Sequence, residues 1–271
     1  MNVFIKYARY YDLLYSDKDY AEEANFIRCL VKKHTPNAKS ILELGCGTGK
    51  HAEFLSMMGY KVLGIDMSSE MLEEANRRLD NLEEKQAARI SFDCGDIRTY
   101  RTKRYFDVVV SLFHVMSYQT TNKDLNGTFE TAKVHLKKGG IFIFDCWYGP
   151  AVLTDRPTVR IKRLEDDTIE VTRIAEPKIH ENENIVEVNY HVFIKNKVTG
   201  IVEELREIHR MRYLFKPEID LLFDQVGFEF VDSVEWVTGR EPGFNVWNVC
   251  FIGKRPDIRS SKTIQLSSGG V

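Results

Sequence analysis

The chain has 271 residues, of which 43% are hydrophobic and 29% charged, a composition typical of a globular protein with one large domain or one domain carrying an insertion. Its formal net charge of -2 gives no overall positive field, so we expect no nucleic-acid partner. Five scattered cysteines without a CxxC pair, no signal-peptide core and no apolar run of roughly 18 residues predict a cytoplasmic protein without metal site or membrane partner.

The first half of the chain alternates short apolar segments with helical patterns, which predicts a parallel sheet with helices on both faces. The apolar segments, read as buried strands, are 40–45, 61–66, 89–96, 106–113 and 140–147. The helical patterns are 71–84 and 122–138. The lysines and glycines of LKKGG, at 136–140, predict the end of the second helix.

After Pro150 the pattern changes to four strand-like segments between about 159 and 215, with no helix between them, so these strands should be antiparallel. One segment places an apolar side chain at every second position, which gives it one apolar face: Val186, Val188, Tyr190, Val192 and Ile194. We interpret the block as an insertion whose apolar face is covered by the main domain, by another subunit or by substrate. A helix at 216–227 and a closing hairpin at 228–253 follow, and residues 256–271 are expected to be disordered.

The sequence ILELGCGTGKH, at 41–51, places three glycines after the first predicted strand. A phosphate-binding P-loop needs GxxxxGK followed by Ser or Thr, but the spacing here is one residue short and His51 takes the hydroxyl position. A dinucleotide site needs GxGxxG, whereas Lys50 stands where the third glycine belongs. This weakens an NAD site without excluding it.

A third interpretation is S-adenosylmethionine (SAM), which has a ribose but no pyrophosphate. Asp66 ends the second strand, where a carboxylate accepts ribose hydroxyls, and the glycines allow close approach of the backbone to a ligand. Asp96 and Ile97 end the third strand and suit an adenine ring. Glu43 is placed to orient the loop or to meet the cationic amino-acid end of the ligand.

Four segments in this order, ELGCGTGKH, GIDMS, CGDIR and FDVVVSLFHVMSY, resemble the successive motifs of class I SAM-dependent methyltransferases, over roughly residues 36–150. The resemblance implies SAM as cofactor and an α/β, Rossmann-like seven-stranded sheet with its last strand antiparallel. The positions it assigns to the cofactor are Glu43, Gly45, Cys46, Gly47, Gly49, Asp66, Met67, Asp96, Ile97 and Leu112.

The segment at 10–27, together with the insertion, resembles methyltransferases that N-methylate nucleotide-linked amino deoxysugars. In that family a leading helix covers SAM, and Tyr11, Tyr15 and Tyr20 match its tyrosines, with Tyr15 nearest the chemistry. The implied division is a core at 1–150 and 216–255, of which 1–35 forms a helical cover. The insertion at 151–215 is then expected to bind substrate and to form a homodimer contact.

The fourth strand end, where this fold brings the acceptor, lacks the Asn/Asp-Pro-Pro-aromatic and Pro-Cys motifs of nucleic-acid methyltransferases. His114 is a candidate base, Asp145 a candidate positioning group in catalysis, and His114, Trp147 and His209 are candidate substrate contacts. We predict methyl transfer to a small polar metabolite, the amino nitrogen of a nucleotide-linked sugar. The alternatives are sugar O-methylation, an NAD-linked oxidoreductase and a SAM-binding protein without catalysis.

Overall fold

The computed structural model describes residues 8 to 257. The predicted disordered tail therefore lies almost entirely outside the described residues. Within them, the helices are α1 Ala8–Leu14, α2 Tyr20–His34, α3 Lys50–Met57, α4 Ser69–Leu79, α5 Glu84–Ala87, α6 Asn122–His135, α7 Gly149–Thr154 and α8 Lys216–Val226. The strands are β1 Ser40–Leu44, β2 Lys61–Asp66, β3 Ile90–Cys94, β4 Phe106–Ser111, β5 Leu136–Tyr148, β6 Arg160–Glu165, β7 Ile169–His180, β8 Ile185–Asn196, β9 Val202–Leu214, β10 Glu229–Glu235 and β11 Asn248–Lys254.

The alternating half of the sequence forms a parallel sheet in the order β3-β2-β1-β4-β5. The closing hairpin adds β11, antiparallel to β5, and then β10 at the edge. Apolar side chains fill the space between this sheet and the helices on each of its faces, in two separate buried clusters. The α/β, Rossmann-like arrangement follows from strands that are buried on both faces.

Side-chain caps fix the start of three helices that pack against the sheet. Asp19 accepts a hydrogen bond from the amide of Glu22 at the start of α2, and Ser68 accepts one from Met71 at the start of α4. Thr121 does the same for α6. Each cap satisfies an amide that has no partner within its own helix. None of the helices in the described part of the chain is long and apolar enough to cross a membrane.

Two predicted helix boundaries were wrong. The segment LKKGG does not end α6, which stops at His135, because Leu136 pairs with Phe106 and begins β5. Gly139, at φ +75°, makes an irregularity in this strand and donates its amide to the carbonyl of Arg255. The helix predicted at 71–84 is divided, since α4 ends at Leu79 in a turn before α5. Strand pairing therefore sets the end of α6, and a turn sets the end of α4.

The insertion forms an antiparallel sheet, β6-β7-β8-β9, as its alternating pattern predicts. β9 is also parallel to the last two residues of β5, Trp147 and Tyr148. β4 ends opposite Phe144, so the insertion joins β5 beyond the carboxyl end of β4. Its apolar face is covered within the same chain, because it packs on α1, on Met71 of α4 and on Val152 of α7.

Candidate active site

A cavity of about 350 Å³ lies at the carboxyl ends of the parallel strands, between the sheet, α1 and the insertion. In this fold class, ligands bind at the carboxyl edge of the sheet, where the first strands diverge. The cavity has a cofactor side, formed by the glycine loop and the ends of β2 and β3, and an insertion side, formed by residues of β8, β9 and the segment after β4.

The glycine loop turns from β1 into α3 with Gly45, Gly47 and Gly49 all at positive φ. A Cβ on Gly45 would collide with Val115 at 2.6 Å, and one on Gly49 with Phe92 at 2.6 Å. A Cβ on Gly47 would meet no atom within 4 Å, because this residue faces the cavity. Two glycines therefore serve the turn and its packing, while the middle one leaves the backbone open to a ligand.

Asp66, at the end of β2, joins the glycine loop to the next turn. Its Oδ2 accepts a hydrogen bond from the amide of Gly47 at 2.9 Å, and its Oδ1 accepts one from the amide of Ser68 at 2.9 Å. Burial raises the pKa of this carboxyl, and the backbone hydrogen bonds oppose that rise. Each oxygen has a second lone pair, so the carboxylate can accept the two hydroxyls of a ribose while it holds the loop.

Glu43 lies beneath the loop and does not line the cavity; it is 1% exposed. Its Oε2 is buried and has no hydrogen-bond partner among residues 8–257, and its Oε1 lies 3.7 Å from Nδ1 of His51. Burial, reinforced by the charge of Asp66, raises the pKa of Glu43 to about 8. An unsatisfied buried carboxyl beside a ligand cavity fits a cationic group, because a positive charge would favour its ionised form.

A chain of ionisable groups continues from Glu43 toward α2. Nε2 of His51 lies 2.8 Å from Oε2 of Glu23, and Glu23 accepts a hydrogen bond from the Trp236 indole and pairs with Lys18. Burial opposes ionisation of Glu23, but His51 and Lys18 outweigh it and hold its pKa at about 2. The Lys18 ammonium lies over the ring of Phe113, at 4.2 Å from its centre. Charges of both signs thus meet below the cavity.

The end of β3 brings Asp96 and Ile97 to the cavity wall, as predicted, and adds Arg98. The Arg98 guanidinium donates to both oxygens of Asp96, at 2.8 and 3.0 Å, and to Asp124 at 2.9 Å. The hydrogen bonds from Arg98 lower the pKa of Asp96, so this carboxyl is ionised at neutral pH. Asp96 is therefore held in place as an acceptor beside the apolar surface of Ile97.

α1 covers the cavity and contributes Tyr11, Tyr15 follows in the turn after the helix, and Tyr20 begins α2 beside them. The ring centres of Tyr11 and Tyr15 lie 4.9 Å apart, and those of Tyr15 and Phe113 lie 4.8 Å apart in an edge-to-face contact. The helix is tied to the glycine loop through Asp12, which accepts from the hydroxyl of Thr48 at 2.9 Å and pairs with Arg78. Its seven residues are too few to be stable alone, so these contacts fix its place.

His114 follows β4 in a left-handed conformation, at φ 62°, as does Phe113 before it. Asp145, fully buried on β5, accepts the backbone amide of His114 at 3.1 Å, and its Oδ2 lies 2.7 Å from Nδ1 of the ring. This second approach is a charge contact rather than a well-aligned hydrogen bond. Asp145 does not line the cavity, whereas His114 does. The carboxylate therefore supports an unfavourable backbone conformation that aims the imidazole at the cavity.

The insertion side of the cavity contains Tyr118, Tyr190, His209 and Met211. The hydroxyl of Tyr118 lies 2.7 Å from Nδ1 of His209, and the ring of Tyr190 meets the imidazole edge-on at 4.9 Å. Trp147 lines the same cavity, with its amide bonded to the hydroxyl of Ser117 at 3.0 Å. Aromatic groups and one histidine thus face the glycine loop from the opposite wall.

Most of the predicted site residues meet around this one cavity. The cofactor-side residues that line it are Tyr11, Tyr15, Tyr20, Gly45, Cys46, Gly47, Asp66, Met67, Asp96, Ile97 and Leu112, and the predicted acceptor residues that do so are His114, Trp147 and His209. Glu43, Gly49 and Asp145 lie behind the wall. The lining residues not predicted are Thr48, Lys50, His51, Met71, Gly95, Arg98, Phe113, Val115, Tyr118, Gln119, Tyr190 and Met211.

Similarity to known proteins shows the family of this chain. Residues 41–140 match the family model described as a methyltransferase domain. Over 241 residues the chain is 30% identical to the dTDP-3-amino-3,4,6-trideoxy-alpha-D-glucopyranose N,N-dimethyltransferase of Streptomyces venezuelae, which covers 88% of this chain and 95% of the relative. The chain belongs to the SAM-dependent methyltransferases.

Similarity to two further proteins supports the membership of this chain in the SAM-dependent methyltransferases. The dTDP-3-amino-3,6-dideoxy-alpha-D-glucopyranose N,N-dimethyltransferase of Streptomyces fradiae is 27% identical over 238 residues, 87% of each chain. The crystal structure of a SAM-dependent methyltransferase from Clostridium acetobutylicum shares the fold, with a TM-score of 0.76 over 92% of this chain and 96% of that one, at 22% identity. These findings confirm the predicted family and decide against the NAD-linked oxidoreductase.

The residues of this methyltransferase fit its cofactor. Asp66 offers acceptors for ribose hydroxyls, Gly47 leaves backbone space, and the unsatisfied oxygen of Glu43 fits a cation. When bound, SAM supplies a methyl group on a positively charged sulfur. Tyr15 and Phe113 both line the cavity, with their ring centres 4.8 Å apart.

Proposed function

We propose that this methyltransferase transfers the methyl group of SAM to the amino nitrogen of a nucleotide-linked amino sugar. The observation that carries the proposal is the length of the match to the Streptomyces venezuelae enzyme. It spans 241 residues and 88% of the chain, which is more than the cofactor-binding core alone. The cavity, which the insertion completes, agrees with an acceptor of this kind.

An amine attacks a methyl group only when its lone pair is free, so the site must handle one proton for each methyl transferred. His114 faces the cavity with its backbone and ring held by Asp145. We propose that His114 takes or relays the proton of the acceptor ammonium and that Asp145 positions the imidazole. Alignment of donor and acceptor in a dry site contributes a further ~7–11 kcal/mol of barrier reduction in well-oriented reactions.

We assign the cofactor side of the cavity to SAM and the insertion side to the sugar. In this proposal Asp66 accepts the ribose hydroxyls, Asp96 and Ile97 hold the adenine, and Tyr11, Tyr15 and Tyr20 cover the donor. Trp147 and His209 contact the acceptor. Residues 1–150 and 216–255 form the methyltransferase core, and the insertion at 151–215 also provides a homodimer contact, which light scattering of the purified protein tests.

The direct test is to incubate the protein with SAM and dTDP-3-amino-3,4,6-trideoxy-D-glucose and to follow S-adenosylhomocysteine and product mass. The same sugar with a hydroxyl in place of the amine is the matched control. We expect a mass increase of one or two methyl groups on the amino sugar alone. Methylation of the hydroxyl sugar would favour the O-methyltransferase alternative. Binding of SAM without turnover of either sugar or of related amino sugars would contradict the proposal.

A further inference from the structure

A hydrogen-bonded chain on the insertion side of the cavity is not used by the proposed reaction at His114. Tyr10 donates its hydroxyl to Oε1 of Glu207 at 2.8 Å, and Nε2 of His209 lies 3.4 Å from Oε2 of the same carboxylate. The hydroxyl of Tyr118 then meets Nδ1 of His209 at 2.7 Å. Glu207 is 8% exposed and His209 3% exposed, so the chain is shielded from solvent.

The chain has a defined direction. An ionised carboxylate only accepts hydrogen bonds, so Glu207 fixes the proton of His209 on Nε2. Nδ1 is then an acceptor, and it takes the hydroxyl proton of Tyr118. Each donor thus points toward Glu207, and the chain begins at Tyr118, which lines the cavity. The geometry is that of a phenol, an imidazole and a carboxylate arranged to move a proton away from the cavity.

We propose that Tyr118, His209 and Glu207 form a second proton-accepting chain for the acceptor ammonium, on the insertion side of the cavity. This inference rests on the proposed amine acceptor. The ammonium N–H bond breaks as its proton passes to the Tyr118 oxygen, while the Tyr118 proton passes to Nδ1 of His209. The amine keeps the electron pair, and Glu207 balances the imidazolium. The proton leaves to solvent after product release.

The surroundings of the chain suit this step. Burial keeps the pKa of Tyr118 well above its usual value, so the tyrosine stays neutral and acts as a relay rather than as a stored base. The titratable and charged groups that face the cluster from the neighbouring elements are Tyr10 and Tyr11 of α1, Tyr15 directly after that helix, Arg173 of β7, Tyr190 of β8 and Glu207 of β9. Tyr118 and His209 are catalytic in this proposal, and Glu207, which does not line the cavity, is a positioning residue.

The same strand offers a matched control. On the outer face of β9, Glu204 lies 2.6 Å from Nε2 of His191, an exposed pair of the same chemistry. Glu207→Gln removes the charge behind His209 and leaves one oxygen acceptor for two donors, whereas Glu204→Gln makes the same change away from the cavity. With SAM and dTDP-3-amino-3,4,6-trideoxy-D-glucose, we expect Glu207→Gln to lower kcat at pH 7 by about 10-fold or more. Glu204→Gln should stay within about twofold of the parent, like other surface changes.

The dependence on pH separates proton transfer from folding. The loss in Glu207→Gln should shrink toward pH 9, where more of the amine is already neutral, and SAM affinity should stay within about twofold, since the chain lies away from the glycine loop. Tyr118→Phe should show the same profile, and the double variant should be no slower than the worse single variant, because both changes interrupt one chain. A loss that is equal at every pH would overturn the proton-transfer role.

A second measurement needs no acceptor, so its outcome is independent of the proposed function. Nitrogen-15 NMR of the parent protein reports the tautomer of His209, whose signals are assigned by their loss in His209→Gln. We expect the Nε2–H tautomer at pH 7.5, and a shift of the tautomer equilibrium in Glu207→Gln. An Nδ1–H tautomer or an imidazolium in the parent would refute the chain, even if the amino sugar is methylated. If His209 shows the Nε2–H tautomer but the amino sugar is not methylated, only the proposed acceptor is contradicted.

Discussion

Glu43 gives a prediction that depends on the sign of its pKa shift. Burial raises its pKa from 4.5 to about 8, so about 0.9 of the molecules carry a proton on Glu43 at pH 7. If the cationic amino-acid end of SAM meets the unsatisfied Oε2, the ionised form is favoured and the proton leaves. We therefore expect SAM binding at pH 7 to release up to about 0.9 proton from this group, and Glu43→Gln to abolish that release.

Isothermal titration calorimetry in two buffers of different ionisation enthalpy measures the protons released. The difference between the parent and Glu43→Gln isolates Glu43 from the titration of SAM itself. The affinity of the parent should rise with pH by up to about tenfold per unit below pH 8, and that of Glu43→Gln should be nearly flat by comparison. Glu74→Gln, on the outer side of α4, is the control. Equal proton release in parent and Glu43→Gln would refute contact between Glu43 and the cation.

The same shift has a consequence for folding. A carboxyl whose native pKa lies above its unfolded value stabilises the fold fully below about pH 4.5, and this contribution is lost as pH rises toward about 8. Glu43→Gln should therefore remove a decline in the free energy of unfolding across that pH range. Urea denaturation at pH 5 and pH 8 measures it, and an unchanged decline in the variant would place the titration on another group.

Three further predictions test the cofactor side and the base. Asp66→Asn should weaken SAM binding by about 10–100-fold, at about 1.4 kcal/mol per tenfold. It should also destabilise the fold by about 1–3 kcal/mol, because the amides of Gly47 and Ser68 would share the one oxygen that remains. Native SAM affinity in calorimetry would exclude the ribose role of Asp66. His114→Asn should lower kcat by about 10²–10⁴ at pH 7, less at higher pH, with SAM affinity within a few-fold; near-native kcat would remove the base role. Asp12→Asn should loosen the attachment of α1 to Thr48 and Arg78. The backbone amides of residues 8–14 should then exchange hydrogen faster. Unchanged exchange would show that the insertion alone holds the helix.

The sheet could be predicted because its signals are local. Buried parallel strands are continuous apolar segments, and the antiparallel insertion alternates at period two, so β1, β2 and β4 to β9 were found in the right place and direction. The end of α6 was misjudged because lysines and glycines after a helix resemble a helix terminus. Pairing of Leu136 with Phe106, which are thirty residues apart, decided the boundary, and no local pattern reports such a pair.

The cofactor side of the cavity was predictable for a related reason. Its residues follow directly after strands β1 to β4, and topology brings those strand ends to one edge. The residues of the insertion side could not be predicted in this way. Tyr118, Tyr190 and Met211 come from three distant segments that meet only when β9 pairs with the end of β5. Val186 to Ile194 had been found as an apolar face, but which surface covers such a face is a matter of tertiary packing.

The helix that covers the apolar face of the insertion, α1, also lines the cavity. α1 packs its buried Tyr10 and Leu14 on the apolar face of the insertion, while its Tyr11 and the following Tyr15 line the cavity. Because a helix of seven residues is not stable alone, the insertion supports the same helix that lines the cavity. The sheet on the insertion side of the cavity therefore also holds α1 in place, through apolar packing on Tyr10 and Leu14. Changes in β7 to β9 that loosen this packing should reach SAM affinity as well as the acceptor.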